Sequence, residues 1–201
     1  QGRPIPLIAE TGGMNAMIVD SSALTEQVVV DVLASAFDSA GQRCSALRVL
    51  CLQDEIADHT LKMLRGAMAE CRMGNPGRLT TDIGPVIDSE AKANIERHIQ
   101  TMRSKGRPVF QAVRENSEDA REWQSGTFVA PTLIELDDFA ELQKEVFGPV
   151  LHVVRYNRNQ LPELIEQINA SGYGLTLGVH TRIDETIAQV TGSAHVGNLY
   201  V

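Results

Sequence analysis

The sequence predicts an α/β domain built on an open, mostly parallel twisted sheet with helices on both faces. Short apolar runs rich in β-branched residues alternate with segments of helical periodicity, a pattern typical of parallel strands joined by crossover helices. The 201 residues are enough to enclose one core. Hydrophobic residues make up 43% of the chain and charged residues 22%, which indicates a globular protein rather than a disordered or fibrous one.

The first half of the chain alternates between strand and helix. The segment from Leu24 to Phe37 carries apolar residues at helical spacing, with Gly41 ending the pattern and Asp20–Ser22 supplying residue types that cap helices. The predicted elements here are Pro6–Ile8 (extended), Met17–Val19 (strand), Leu24–Phe37 (helix), Leu47–Leu52 (strand), Ile56–Cys71 (helix) and Asp88–Lys105 (helix), with a loop at Gly74–Gly77.

The second half repeats the alternation and contains two irregular segments. Glu115–Ser125 is a polar loop by composition, and Pro131 interrupts an extended segment, which favours a bend or an edge strand there. The predicted elements are Val109–Val113 (strand), Thr127–Leu136 (extended), Val150–Tyr156 (strand), Gln160–Ala170 (helix), Thr176–His180 (strand), Asp184–Ser193 (helix) and Val196–Val201 (strand).

Charge and composition argue against several functional classes. Eighteen basic and 26 acidic residues give a net charge of −8 without a basic stripe, which argues against nucleic-acid binding. No apolar run is long enough to span a bilayer and no signal peptide is recognisable. Cys44, Cys51 and Cys71 form no CxxC pair, so a reducing cytoplasm is expected. Because the chain begins without methionine and stops inside a predicted strand, we expect it to be a piece of a longer protein.

Two residues are candidates for catalysis. Cys44 follows a predicted helix and a small-residue turn and stands next to Arg43; a cysteine nucleophile reacts as the thiolate, which a neighbouring cation favours. Glu10 leaves an apolar segment and enters the turn Gly12-Gly13, where a general base could reach a ligand. Taken alone, each residue has an ordinary alternative, since a lone cysteine is more often a buried small hydrophobe and a glutamate more often lies on the surface.

Three other patterns do not predict a site. The glycines of Gly172–Gly178 are misplaced for a dinucleotide loop and precede a strand, so a turn is expected there. The five histidines lack metal-ligand spacing, and no metal site is predicted. A cysteine–histidine hydrolase that pairs Cys44 with His152 or His195 has no support in the surrounding residues.

Taken together, the motifs resemble those of the aldehyde dehydrogenase superfamily. Ala9–Gly13 is similar to the family's glutamate signature and Phe37–Cys44 to its cysteine signature, and Gln42–Arg48 resembles the branch that oxidises L-glutamate γ-semialdehyde, the open form of Δ1-pyrroline-5-carboxylate. Further landmarks fall in the family's order over nearly the whole chain: Met73–Pro76, Ile83–Pro85, Gly126–Phe128 with Pro131-Thr132, Lys144–Val150, Asn169 with Gly172–Leu175, and Gly197-Asn198. One departure is Met14, where the family more usually carries a polar residue.

The resemblance implies a role for four residues. Cys44 would attack the aldehyde and pass through a thiohemiacetal and a thioester, with its own backbone N–H holding part of the oxyanion. Glu10 would activate the water that hydrolyses the thioester. Glu145 and Phe147 would grip and pack the nicotinamide ribose of NAD.

The resemblance also implies what lies elsewhere. Residues 1–201 would form the cysteine-bearing catalytic domain, and most of the NAD-binding domain, the oxyanion asparagine and the semialdehyde carboxylate anchor would lie outside the chain. The parent is expected to be a cytoplasmic homo-oligomer, peripheral to the membrane at most. The parent would also carry a proline dehydrogenase domain, and FAD would be confined to that domain. Two alternatives stay open: an aldehyde dehydrogenase for another semialdehyde, such as succinate semialdehyde, and a non-enzymatic relative that serves as a scaffold.

Overall fold

Seven strands and five α-helices form the part of the chain that the computed structural model describes, namely residue 5, residues 12–112 and residues 126–201. The strands are β1 (Ala16–Val19), β2 (Val49–Gln53), β3 (Val109–Gln111), β4 (Thr132–Leu136), β5 (Val150–Tyr156), β6 (Thr176–His180) and β7 (Asn198–Tyr200). The helices are α1 (Thr25–Phe37), α2 (Asp54–Glu70), α3 (Ser89–Ser104), α4 (Leu161–Ala170) and α5 (Asp184–Ser193).

The strands pair into one open sheet in the order β3-β4-β5-β2-β1-β6-β7. Only the pair β3–β4 is antiparallel among these strands. The step from β1 to β2 and the step from β5 to β6 run in opposite directions along the sheet, so right-handed crossovers place α1 and α4 on opposite faces. The predicted fold class is therefore confirmed.

Burial follows from this arrangement. All residues of β1 and β2 are buried, as expected for central strands covered on both faces. In β6 burial alternates along the strand, and in β7 the outer residues are exposed. Within the described ranges, no helix has the length and hydropathy needed to cross a membrane.

Two predictions about local structure are corrected. Asp20–Ser22 does not cap α1: the helix begins after Leu24 without a side-chain cap, and Asp20 instead accepts a hydrogen bond from the Ser22 backbone N–H at 2.8 Å. The segment around Pro131 is not an edge strand, because β4 begins only at Thr132 and has β3 and β5 as neighbours. The proline lies just outside the strand, where its missing N–H costs no ladder bond.

Other predicted boundaries agree to within a few residues, and β5, β6 and α5 have the predicted bounds. The extended segment Pro6–Ile8, the end of the strand at Val113 and the loop Glu115–Ser125 lie outside the described residues.

Candidate active site

The candidate site lies where the amino ends of three neighbouring strands meet. Gly13 precedes β1, Cys44 precedes β2 and Glu145 precedes β5, and these strands are adjacent in the order β5-β2-β1. Because the three strands are parallel, the loops that lead into them converge at one edge of the sheet. A hydrogen bond of 3.0 Å from the Gly13 backbone N–H to Glu145 Oε2 joins residues that are 132 positions apart.

A strained turn presents Cys44. After α1 ends at Phe37, three consecutive residues adopt positive φ: Ser39 at 57°, Ala40 at 53° and Gly41 at 65°. Residues with a side chain rarely adopt this conformation, and each instance costs about 1 to 3 kcal/mol. The turn leads directly to the exposed thiol of Cys44. Helix α1 ends four residues before Gly41, and the strained residues 39–41 lie shortly before the candidate nucleophile.

The strained turn is packed against the loop that carries Glu145. A Cβ atom added at Gly41 would lie 2.2 Å from the carbonyl oxygen of Gly148, and one added at Gly148 would lie 2.3 Å from Ile95 Cδ1. The backbones thus approach more closely than any side chain would allow. Position 41 requires glycine for two reasons: a side chain would collide with the Gly148 carbonyl, and the backbone has a positive φ.

Arg48 is the polar centre of the site, and its side chain is only 1% exposed. Nε donates to Glu145 Oε1 at 3.0 Å, and Nη2 lies 2.9 Å from the same oxygen. The guanidinium also donates to three backbone carbonyls: Gly41 at 2.7 Å, Arg43 at 3.1 Å and Gly148 at 3.3 Å. Burial lowers the pKa of Arg48 and Glu145 opposes this shift, but an arginine stays charged in either case.

Asn15 fixes the residues on the other side of Cys44. Its Nδ2 donates to the carbonyl of Cys44 at 2.7 Å and to that of Ala46 at 2.8 Å. Its Oδ1 accepts from the Thr176 backbone N–H at 3.2 Å, which adds the amino end of β6 to the same edge. The buried amide side chain thus holds the nucleophile loop against the sheet.

Glu145 and Phe147 both lie beside Arg48. Phe147 is 46% exposed, and its ring centre lies 5.0 Å from Arg48 Cζ. Both residues border a cavity of about 590 Å³ between α3 and the segment 141–147, whose wall also includes Gln42 and Asn94. The cavity thus combines an exposed aromatic ring with a carboxylate, and small-molecule sites commonly combine apolar and polar groups in this way.

The nucleophile loop separates this cavity from a second one of about 600 Å³. Gln42 borders the first cavity, whereas Arg43 and Ser45 border the second. Arg43 Nη2 is held by the carbonyls of Ala34 at 2.7 Å and Ser35 at 2.9 Å, near the end of α1. Arg43 thus anchors the nucleophile loop to the end of α1, while the expected influence of its guanidinium on the Cys44 thiol stays a prediction.

The remaining predictions from the sequence concern Glu10, the histidines and the turn at Gly172. Glu10 lies outside the described residues, so its role stays a prediction. His152 is buried, with Nε2 2.8 Å from His98 Nε2 and Nδ1 3.2 Å from the Arg48 carbonyl, and is thus unsuited to act as a hydrolase base. Among the described residues no group of three or more metal-ligating side chains occurs. Gly172 has a φ of 78° in the predicted turn before β6.

The other cysteines are poor rivals to Cys44. Cys51 is fully buried in β2, and burial raises its pKa to about 12, so its thiol does not ionise at neutral pH. Cys71 is partly buried at the end of α2, and its Sγ lies 3.7 Å from the Ala67 carbonyl. Cys44 is therefore the most accessible of the three thiols.

Sequence reasoning gave no role to Arg48 or Asn15, although both carried a signal. Arg48 interrupts the apolar run Leu47–Leu52, and a charge that is buried in a strand needs a partner. Asn15 directly precedes the apolar strand β1, at a position where its amide can reach the neighbouring loop. The distant partners could not be read from the sequence, because Glu145 lies 97 positions from Arg48 and Cys44 lies 29 positions from Asn15.

These features and the family comparison define the class of protein. Residues 2–201 match the model of the aldehyde dehydrogenase family, and the chain belongs to that family. The predicted resemblance is therefore confirmed at the family level.

Individual relatives narrow the likeness further. The chain is 94% identical over all of its 201 residues to the bifunctional protein PutA of Salmonella typhimurium and spans 15% of that protein's length. It is 32% identical over 196 residues to the 1-pyrroline-5-carboxylate dehydrogenase of Geobacillus kaustophilus, covering 96% of this chain and 36% of the relative. The crystal structure of betaine aldehyde dehydrogenase from Staphylococcus aureus in complex with NAD+ superposes with a TM-score of 0.84 at 29% identity, covering 94% of this chain and 37% of that one.

Proposed function

We propose that this chain is the cysteine-bearing catalytic domain of an enzyme that oxidises L-glutamate γ-semialdehyde to L-glutamate with NAD. The observation that carries the proposal is the exposed Cys44 on a strained turn, tied through Arg48 to the loop of Glu145 and Phe147. The likeness to a 1-pyrroline-5-carboxylate dehydrogenase supports this substrate. As a piece, the chain would be nearly inactive, because most of the NAD-binding domain would lie elsewhere in the polypeptide.

Cys44 opens the reaction. Its thiolate forms a bond to the aldehyde carbon, and the π electrons of the carbonyl move to oxygen, where the Cys44 backbone N–H stabilises the negative charge. NAD supplies the acceptor for the hydride that leaves this carbon, and the carbonyl re-forms as a thioester. Glu10 then takes a proton from water, the resulting hydroxide attacks the thioester, and cleavage of the C–S bond returns the Cys44 thiolate.

Glu145 and Phe147 would hold the cofactor rather than the aldehyde. The carboxylate of Glu145 would accept from the hydroxyls of the nicotinamide ribose, and the Phe147 ring would limit the movement of the sugar. The cavity they border would then hold the cofactor, and the aldehyde would approach Cys44 from the second cavity, beside Arg43 and Ser45.

The likeness to the bifunctional protein PutA supports a proposal about the parent protein. We propose that it is a cytoplasmic homo-oligomer that carries a proline dehydrogenase domain, to which FAD is confined. The alternative of another semialdehyde specificity concerns the carboxylate anchor, which would lie outside residues 1–201. The scaffold alternative is disfavoured because a scaffold has no reason to retain Cys44, Glu10 and Glu145 together.

The proposal is tested on the full-length polypeptide that carries this chain. NADH formation is followed with Δ1-pyrroline-5-carboxylate for the wild type and for Cys44→Ser, Glu10→Gln and the control Cys71→Ser. We expect Cys44→Ser to abolish turnover, Glu10→Gln to stop after one burst of NADH with a thioester on Cys44, and Cys71→Ser to retain activity. Turnover of other semialdehydes alone would refute the substrate, and full activity in Cys44→Ser would refute the mechanism.

A further inference from the structure

One buried guanidinium touches both functional parts of the site. We propose that Arg48 is a positioning residue that fixes and polarises the peptide between Arg43 and Cys44, so that the Cys44 N–H is ready to hold the oxyanion, and that it couples this peptide to Glu145. The inference rests on the proposed function of Cys44 and adds a residue that takes no part in the chemical steps proposed above.

The peptide between Arg43 and Cys44 is held by hydrogen bonds to its neighbours. The carbonyl of Arg43 and the N–H of Cys44 belong to one planar amide and point in opposite directions. Arg48 Nη2 donates to that carbonyl at 3.1 Å. A charged donor on the oxygen draws electron density from the amide, which makes the N–H on the other side a stronger donor. Since Asn15 holds the next carbonyl, that of Cys44, at 2.7 Å, the peptide units on both sides of the nucleophile are fixed.

Both carboxylate oxygens of Glu145 are held in place by hydrogen bonds. One of its oxygens is held by Arg48 Nε and Nη2, and the other accepts the Gly13 N–H at 3.0 Å. A carboxylate offers about four acceptor positions, so Glu145 keeps capacity for a sugar hydroxyl while it stays fixed. The side chain is 11% exposed, which leaves a path to the cavity. Any change in the charge of Glu145 is therefore transmitted to Arg48 and from there to the Arg43–Cys44 peptide.

The number and direction of the donors at position 48 require an arginine. The guanidinium uses Nε, Nη1 and Nη2 to reach Glu145 and three carbonyls on two loops at once. A lysine carries a single ammonium nitrogen with three donors and cannot span these partners. Arg48→Lys therefore keeps the charge while it removes most of the geometry.

The test separates oxyanion stabilisation from thiol reactivity. On the full-length polypeptide, Cys44-dependent hydrolysis of p-nitrophenyl acetate without NAD reports on nucleophilic attack and the oxyanion together, whereas alkylation of Cys44 by iodoacetamide reports on the thiolate without an oxyanion. For Arg48→Lys we expect ester hydrolysis to fall by about tenfold or more, below the 10²-fold to 10³-fold loss of a complete oxyanion donor, while alkylation changes by less than about twofold. The control Arg65→Lys, which alters an ion pair with Glu135 on the remote strand β4, should leave both rates unchanged.

Glu145→Gln tests the coupling without a change at Arg48. In the proposed function Glu145 contacts the cofactor and not the ester. Because Glu145 hydrogen-bonds Arg48 and the Gly13 N–H, a slower ester hydrolysis of its variant without NAD must arise through one of these two contacts. We expect a decrease of about threefold or more, within the usual range of coupling between residues in contact. Circular dichroism and thermal melting establish that each variant is folded, and if Arg48→Lys does not fold, the result for Glu145→Gln decides alone.

The possible outcomes separate this inference from the proposed function. Wild-type ester hydrolysis in folded Glu145→Gln, or in folded Arg48→Lys, overturns the role of Arg48. A parallel loss of alkylation and ester hydrolysis in Arg48→Lys also overturns it, because the thiol rather than the oxyanion would then be affected. Ester hydrolysis that persists in Cys44→Ser contradicts the proposed function itself.

Discussion

The two edges of the sheet both carry polar groups but differ in how those groups are used. At the amino edge, the loops before β1, β2 and β5 bring together an exposed thiol, a buried ion pair and a turn with three consecutive positive φ angles. At the carboxyl edge, the residues after β1 and β6 form a closed network around Asp20, which is 4% exposed.

The carboxyl-edge network satisfies its own hydrogen bonds. Asp20 Oδ1 accepts from the Ser22 N–H at 2.8 Å and from the Ser22 hydroxyl at 2.5 Å, and Oδ2 accepts from the Thr181 hydroxyl. Gln53 accepts from the Ser21 N–H at 3.2 Å. This arrangement ties the strand ends together.

The difference bears on a general expectation for open α/β sheets. Ligands usually bind at the carboxyl ends of the strands, near the point where the strand order reverses. Here the proposed chemistry lies at the opposite edge, because the strained turn and Cys44 belong to a loop that enters a strand rather than leaves one.

The largest expected effect comes from Gly41→Ala at the amino edge. The new Cβ would meet the Gly148 carbonyl at 2.2 Å and would have to adopt a φ of 65°. We expect a loss of at least about 3 kcal/mol in the free energy of unfolding, together with loss of activity in any folded fraction. Denaturant unfolding and NADH formation measure the two effects.

The matched control is Gly192→Ala, inside α5, where a Cβ meets nothing within 4 Å. There alanine should stabilise the helix by up to about 1 kcal/mol. Equal behaviour of the two variants would mean that the turn at Gly41 is not the constraint described here.

The next effect is a dependence of stability on pH through the histidine pair beneath the amino edge. Burial, with a smaller contribution from His98, lowers the pKa of His152 to about 3. Burial also lowers the pKa of His98. Between pH 6.5 and about 3 the unfolded chain binds a proton at His152 that the folded chain does not. Stability should therefore fall as the pH drops below 6.5, by up to about 1.4 kcal/mol per pH unit for this group.

Urea unfolding at several pH values between 7 and 5 measures this slope. The slope should be smaller in His152→Gln than in the wild type. His59→Gln, which alters an exposed histidine on α2, should leave the slope unchanged. An unchanged slope in His152→Gln would show that other groups cause the acid sensitivity.

The sequence predicts the sheet and helices well, because period and composition are local. Strand β5 and helix α5 were predicted with their observed bounds, since each has a clear apolar pattern and clear ends. Asp20 was misread because a residue type suited to capping is equally suited to a turn that binds its own backbone. Pro131 was misread because a proline just before a strand resembles one at an edge.

For the site, the sequence predicts the chemical residues but not what holds them. Cys44, Glu145 and Phe147 were predicted from motifs, and the structure brings Glu145 and Phe147 together around Arg48. The ion pair of Arg48 joins residues 97 positions apart, and no local pattern encodes such a pairing. The positive φ of Ser39 was equally unpredictable, since serine has no preference for that conformation and only the surrounding packing imposes it.

A smaller effect is expected from Asp20→Ala at the carboxyl edge. The change leaves the donors of Ser22 and Thr181 without their acceptor, which should cost about 2 kcal/mol in the free energy of unfolding. Activity per folded molecule should stay the same, because this edge has no role in the proposed chemistry. Asp58→Ala, which removes a largely exposed partner of Arg155, should cost less than about 0.5 kcal/mol. A loss of turnover in folded Asp20→Ala would place part of the site at the carboxyl edge.

The smallest effect is expected from Tyr156→Phe at the end of β5. The buried Tyr156 hydroxyl donates to the Val19 carbonyl at 3.2 Å, and it thereby ties β5 to β1 across β2, which lies between them. Burial raises the pKa of Tyr156 well above its usual value, so the hydroxyl keeps its proton. Loss of this bond should lower the free energy of unfolding by about 1 kcal/mol at neutral pH, without an effect on NADH formation. Tyr200→Phe, at an exposed position in β7, is the matched control and should be neutral. If Tyr156→Phe instead slows turnover in the folded enzyme, the two edges are mechanically linked through β5, and the separation between a structural edge and a chemical edge does not hold.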